Sequence, residues 1–233
     1  MTHAPTAVIT GASAGFGLAL ARALVERGWR VIGTGRRADR LAAVHEELGP
    51  AFLAVAGDIA DPEHRTRLAA TARAAGPLDL LVNNASRLGP SPLPRLADYP
   101  LDELERVYRT NVIAPLAVLQ FGLPLLRTTG VVVNISSDAG REPYPGWGGY
   151  GSSKAALDQL TAVLGAEHPE TSIYAFDPGD MRTAMHQAAF PGEDISDRPE
   201  PETVVPALLR LIEQRPPNAR YAAGDVVTSG AVR

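Results

Sequence analysis

Tyr150-Gly151-Ser152-Ser153-Lys154 is the stretch of this sequence richest in chemistry. In a helix, residues four apart share one face, so the phenol and the ammonium become neighbours. A free phenol, with a pKa of about 10, exchanges its proton poorly at neutral pH. A nearby cation stabilises phenolate and lowers that value. Such a pair is a general acid/base suited to carbonyl reduction or alcohol oxidation. The structural alternative is an ordinary surface pair. Composition weighs against it, because 21 of the 22 basic residues are Arg and Lys154 is the only Lys. One compact point charge persists in a chain that otherwise uses the planar guanidinium.

A second constellation is Thr10-Gly11-Ala12-Ser13-Ala14-Gly15-Phe16-Gly17, between an apolar run and an amphipathic one. Small residues let the backbone approach a phosphate, and the N–H groups of the following helix favour the anion. The spacing is G-x-x-x-G-x-G, so the commoner G-x-G-x-x-G fingerprint is not strictly met. A glycine turn that binds nothing is the alternative. At the end of the next apolar run stands Gly33-Thr34-Gly35-Arg36-Arg37, with no acid before Asp39. An acid there would bind a ribose hydroxyl, whereas guanidinium groups hold a 2′-phosphate. This favours NADP(H) over NAD(H). Arg36 and Arg37 also read as a solvated helix start in an Arg-rich chain.

Short apolar runs at 7–10, 31–34, 52–56, 78–83, 131–136 and 172–177, with a weaker one near 220–223, predict strands. Several are continuously apolar, as in a parallel sheet buried on both faces. Helical patterns lie between them at 15–27, 37–48, 62–75, 101–126, 150–167 and 201–215. Gly28, Gly49 and Gly76 supply stops. The alternation predicts an α/β fold, a doubly wound parallel sheet of Rossmann type with helices on both faces. One domain over 1–233 is expected, with 184–201 as a short lid over the substrate site.

The 233 residues are 45% hydrophobic and 21% charged, as in a globular protein. A net charge of −4 speaks against a nucleic-acid binder. No apolar run of about 18 residues predicts a membrane span, and no secretory signal is expected at the N-terminus. The absence of cysteine removes thiolate chemistry and suits the reducing cytoplasm, where the chain is expected. The five His show no paired spacing, so no metal site is expected.

The glycine turn, Asn83-Asn84-Ala85, Ser137, Tyr150 with Lys154, and Pro178-Gly179 together resemble the classical short-chain dehydrogenase/reductase family, in its order and spacing over nearly the whole chain. The resemblance implies Tyr150 as catalytic acid/base, Lys154 as the group that tunes it and binds the nicotinamide ribose, and Ser137 as the hydrogen-bond partner of the substrate oxygen. It implies that the backbone carbonyl of Asn111 holds a relay water. It places Gly11, Ser13, Phe16 and Gly17 around the pyrophosphate, and Asp58 and Ile59 beside the adenine. Asn84 and Ala85 fall along the riboses. The segment from Pro178 and Gly179 through Met181 to Thr183 covers the carboxamide. Gly-Arg-Arg resembles the family's NADP-preferring pattern. A dimer or tetramer built partly on the 150–167 helix is implied too.

The chain departs from the pattern at Ser86, where the family carries Gly, and at Asp138, which sets a carboxylate beside Ser137. Pocket candidates are Ser86, Arg87, Leu88, Asp138, Tyr144, Trp147, Met181 and Met185, which suit a medium-sized carbonyl or alcohol. His186 has two readings, a substrate contact or the commoner solvated loop His, and it is not counted among the catalytic residues. The leading expectation is an NADP(H)-dependent oxidoreductase of carbonyl reductase type. A nucleotide-binding regulator without turnover and an NAD-dependent alcohol dehydrogenase are the alternatives.

Overall fold

A computed structural model describes residues 4–228; positions 1–3 and 229–233 of the expected domain lie outside the described residues. Seven parallel strands form one sheet in the order β3-β2-β1-β4-β5-β6-β7. They are β1 (Thr6–Thr10), β2 (Arg30–Gly35), β3 (Phe52–Ala56), β4 (Leu78–Asn83), β5 (Leu126–Ile135), β6 (Ser172–Asp177) and β7 (Arg220–Ala222). The chain winds outward from β1 in one direction and from β4 in the other. The crevice at that reversal, beyond the carboxyl ends of the strands, is where such sheets bind ligands.

Helices α1 (Gly15–Glu26), α2 (Ala38–Leu48) and α3 (Pro62–Ala75) connect the first strands. Next come α4 (Leu101–Tyr108), α5 (Ala114–Gly122), α6 (Gly148–Glu167), α7 (Ala184–Ala189), α8 (Pro201–Gln214) and α9 (Ala223–Thr228). Successive strand residues face opposite layers. Ala7 and Ile9 pack with Leu20, Leu24 and Leu208 on one face. Val8 packs with Leu68, Val118 and Leu119 on the other. Val131, Val132 and Val133 are all fully buried, because both faces of the sheet are covered. Among the described residues no helix is long and apolar enough to cross a membrane.

The continuous helix expected over 101–126 is broken. A π-helical turn, Arg109–Ile113, separates α4 from α5. Pro115 has no N–H to give the Asn111 carbonyl four residues back, and its ring crowds that carbonyl, so the α pattern cannot run through. Gly122 and the turn Leu123–Leu125 end α5, and β5 starts at Leu126, five residues before the expected strand. α9, which no periodicity announced, packs on α8 through Val226, 3% exposed.

A buried polar chain locks α6 to the sheet. Asn83 Nδ2 donates to Asn134 Oδ1 at 2.8 Å, and Asn134 Nδ2 donates to Thr161 Oγ1 at 2.8 Å. These bonds satisfy groups that burial would otherwise penalise, and they fix the helix that carries Tyr150 and Lys154. Elsewhere the fixing is apolar. Leu208 is fully buried between α8 and the sheet, so Leu208→Ala should cost about 2–5 kcal/mol. A fall in urea midpoint at unchanged m-value would show it, and an unchanged midpoint would refute that placement.

Candidate active site

At the carboxyl ends of the strands lies a cleft of about 1220 Å³. Its first wall is the turn from β1 into α1. Gly11 has φ +71°, and a side chain there would meet Asn84 Nδ2 at 2.8 Å. A side chain at Gly17 would collide with the Gly11 carbonyl. Asn84 Nδ2 donates to the carbonyls of Thr10 and Gly11, at 2.9 and 3.1 Å. Thr10 Oγ1 accepts from the N–H groups of Asn84 and Ala85, at 3.0 and 2.9 Å. The Asn84 side chain therefore holds the glycine turn in shape.

No side chain caps the N-terminus of α1, which leaves its first N–H groups for an anion. Gly11, Ser13 and Phe16 border the cleft, as do Arg36, Arg37, Asp58, Ile59, Asn84 and Ala85. Gly17 does not; it is the packing partner behind the turn. Phe16 is 4% exposed and stacks on Phe176 at 6.2 Å, so its ring is also core. Arg36 and Arg37 are exposed at the cleft, with no ion pair among the described residues. The uncapped helix end, the open glycine cradle and two free guanidinium groups together fit a dinucleotide with a 2′-phosphate.

The other wall is the start of α6. Gly151 packs against the Ala139 carbonyl so closely that no Cβ fits, which presses Tyr150 against the loop after β5. Tyr150 is 9% exposed and meets Trp147 edge-on at 5.8 Å. Lys154 is 2% exposed, with Nζ 5.4 Å from the centre of the tyrosine ring. Its Nζ donates to the Ile135 carbonyl at 2.6 Å, at the end of β5. Burial pushes the Tyr150 phenol up to about 12, against the hydrogen bonds of the Ser86 and Ser137 hydroxyls. In the protein alone, burial thus outweighs the lowering expected from a neighbouring cation. Burial also lowers the Lys154 ammonium to about 8, against the charges of Asp158 and Asp177.

Ser137 caps the turn Asp138–Gly140, accepting from Ala139 N at 3.2 Å, and its hydroxyl donates to Asp138 Oδ1 at 3.0 Å. Asn111 sits in the π-helical turn, 1% exposed and behind the cleft wall. Its Oδ1 accepts from Arg87 N at 2.8 Å and Ser86 Oγ at 3.2 Å. Its Nδ2 donates to the Arg87 carbonyl and Ser153 Oγ, both at 2.9 Å. The side chain clamps the loop after β4 onto α6, and Pro115 leaves the backbone carbonyl without its usual donor. Pro178, Gly179, Met181 and Thr183 border the cleft between its two ends. Gly179 N donates to Asp177 Oδ1 at 2.9 Å, and Thr183 caps α7.

His186 is enclosed rather than solvated. It lies on α7, only 9% exposed, 4.9 Å from the Phe190 ring and 3.7 Å from Asp180, because α7 folds back over the cleft. Sequence reasoning also missed how Lys154 is supported. Asp158 lies one turn beyond it on α6, a spacing legible in the sequence. Arg220 joins Asp158 and Asp177 at 3.1 and 2.7 Å from 62 and 43 residues away, which no local pattern announces.

A group with a lowered folded pKa that is charged below it makes the fold more stable as pH rises toward the unfolded value. Between pH 8 and 10.5 the unfolded chain holds the Lys154 proton and the folded chain does not. Wild type should therefore gain stability relative to Lys154→Met across that window, by up to about 3 kcal/mol. Urea unfolding of both proteins through the window checks this, and parallel curves would contradict it.

The short chain dehydrogenase family model matches residues 5–194. The chain is 44% identical over 183 residues to the serine 3-dehydrogenase of Agrobacterium fabrum, covering 76% of this chain and 72% of that one. It is 34% identical over 194 residues to an NADP-dependent 3-hydroxy acid dehydrogenase of Salmonella typhi, covering 80% and 77%. A crystal structure of a short chain dehydrogenase from Shigella flexneri complexed with NADP superposes with a TM-score of 0.86 at 29% identity, covering 94% of this chain and 97% of that one. With the family model matched over most of the chain and relatives of this identity, the chain belongs to the classical short-chain dehydrogenase/reductase family.

Proposed function

We propose that the protein is an NADP(H)-dependent oxidoreductase that interconverts a carbonyl compound and its alcohol, with Tyr150 as the acid/base. One observation carries the reading. Tyr150 and Lys154 stand buried together on one turn of α6, at the wall of a cleft whose far end holds two free guanidinium groups. The NADP-dependent relative and the NADP-complexed neighbour support the cofactor choice. When bound, the nicotinamide supplies or accepts the hydride.

The chain's own residues do the rest. Arg36 and Arg37 hold the 2′-phosphate, and the α1 N-terminus faces the pyrophosphate. Tyr150 gives its proton to the substrate oxygen in reduction and takes it back in oxidation. A phenol held up at about 12 is fully protonated at neutral pH, which is the state that reduction needs. Lys154 stands ready to hydrogen-bond the nicotinamide ribose and to stabilise the phenolate once its proton is spent. Ser137 and Ser86 orient the phenol. The segment 184–201, with α7 and the buried His186, forms a short lid over the substrate end. The same proposal has the protein work in the cytoplasm and assemble as a homodimer or homotetramer, the assembly being supported by the apolar Val163 exposed on α6.

Tyr150→Phe should lower the rate of NADPH consumption with a carbonyl substrate by about a thousandfold while NADPH binding persists. Retention of the wild-type rate would remove Tyr150 from the chemistry. Replacing Arg36 and Arg37 together by Glu should reduce the preference for NADPH over NADH by about tenfold or more. Equal dissociation constants for the two cofactors in wild type would contradict the assignment.

A further inference from the structure

The two ends of the cleft carry opposite free charges. Arg36 and Arg37 are unpaired at the cofactor end. At the substrate end the cations are committed: Arg87 Nη2 donates to Glu103 Oε2 at 2.9 Å, and Lys154 Nζ donates to Ile135 O. The carboxylates there differ from one another. Asp177 is paired with Arg220 at 2.7 Å, and Asp180 has Arg198 at 3.6 Å. Asp138 has no cation among the described residues. Its oxygens accept from Ser137 Oγ at 3.0 Å, Ala139 N at 2.7 Å and Tyr144 OH at 3.1 Å. Three donors order the group without neutralising it.

Aromatic rings line the same end. Trp147 stands 5.8 Å from Tyr150 and 6.0 Å from Phe190. A carboxylate beside aromatic faces is a setting that favours an organic cation. His186, nine-tenths buried and also lining the cleft, has its Nε2 without a partner, so this end is equipped for a polar substituent rather than a bare alkyl tail.

Resting on the oxidoreductase reading above, we infer that the substrate is an amino alcohol or the corresponding amino ketone, bound with its ammonium on Asp138 and without a carboxylate group. A substrate oxygen between Tyr150 and Ser137 lies next to Asp138, because Asp138 Oδ1 is 3.0 Å from Ser137 Oγ. That spacing suits an ammonium on the carbon next to the reacting one. The placement has a second effect. Ser137 owns one proton and gives it to Asp138. An ammonium is the stronger donor to that carboxylate. It takes over the carboxylate and frees the Ser137 proton for the substrate oxygen. In the oxidative direction Tyr150 first gives its proton to solvent, with Lys154 stabilising the phenolate; the carbinol carbon then loses a hydride to the nicotinamide, the hydroxyl proton passes to the phenolate, and the net products are the amino ketone, NADPH and the proton released to solvent.

The test is NADPH formation from NADP⁺ with three alcohols of similar size: isopropanolamine, its uncharged isostere sec-butanol, and β-hydroxybutyrate. At about pH 8 the amine is still cationic. Isopropanolamine should exceed sec-butanol in kcat/KM by about tenfold or more, with part of the gain in kcat, and β-hydroxybutyrate should be poorest. Asp138→Asn should cut the ratio of the first two about tenfold. Calorimetric titration of the three into Tyr150→Phe enzyme with NADP⁺ should give the same order without turnover. Equal use of amine and isostere, a ratio unmoved by Asp138→Asn, or a preference for β-hydroxybutyrate would overturn the inference, the last by making Arg87 a carboxylate receptor. In those cases the alcohols still turn over and the oxidoreductase reading stands. No turnover of any of the three alcohols, or turnover at a rate unchanged by Tyr150→Phe, would overturn both. If Asp138→Asn fails to fold, the wild-type series and the calorimetry decide.

Discussion

A nearly dry ammonium sets the constraints on this active site. Lys154 is 2% exposed, and its one protein hydrogen bond runs to a single backbone carbonyl at the end of β5. Burying a charge in this way is costly unless other charges compensate. Asp158 and Asp177 supply that compensation, and both are gripped by Arg220. Helix α6, the end of β6 and β7 therefore share one electrostatic knot. The Asn83–Asn134–Thr161 chain fixes the same helix from the other side. α6 cannot slide against the sheet without breaking one of these attachments, so Tyr150 stays fixed at the wall of the cleft.

The nucleotide end relies on close approach instead. The Gly11 turn and Gly17 touch so closely that any side chain would separate them, and Asn84 stitches the turn from below. What remains open is backbone N–H at the start of α1. The groups at that end are left unsatisfied, whereas those around Tyr150 and Lys154 are held fast. The two ends of the one cleft carry opposite free charges, Arg36 and Arg37 at one and Asp138 at the other.

Asn111 illustrates how a local defect becomes a functional part. Pro115 denies its carbonyl the usual donor, and the helix relaxes into a π-helical turn. The side chain then spends both amide atoms on clamping the loop of Ser86 and Arg87. That clamp places the Ser86 hydroxyl against the Tyr150 phenol. Ser86 thus sets a second hydroxyl, beside that of Ser137, at the Tyr150 phenol.

Local residue patterns determined much of this. The strands at 52–56, 78–83 and 172–177 and the helix at 62–75 appear as read, because continuous apolar runs and Gly stops reflect short-range physics. The Tyr–Lys pair was legible because four-residue spacing on a helix is itself geometry. The glycine turn and the Arg pair were legible for the same reason: each lies within one connection. The break at Asn111 was written in Pro115 and obscured by the apolar periodicity around it. Tertiary structure alone decided three things. It buried Tyr150 deeply enough that the phenol is pushed up to about 12 rather than down. It folded α7 back so that His186 is enclosed. It brought Arg220 from the far end of the chain to the carboxylates behind the lysine. Solvent exclusion and long-range charge pairing depend on what the rest of the chain covers, and no window of neighbouring residues contains that information.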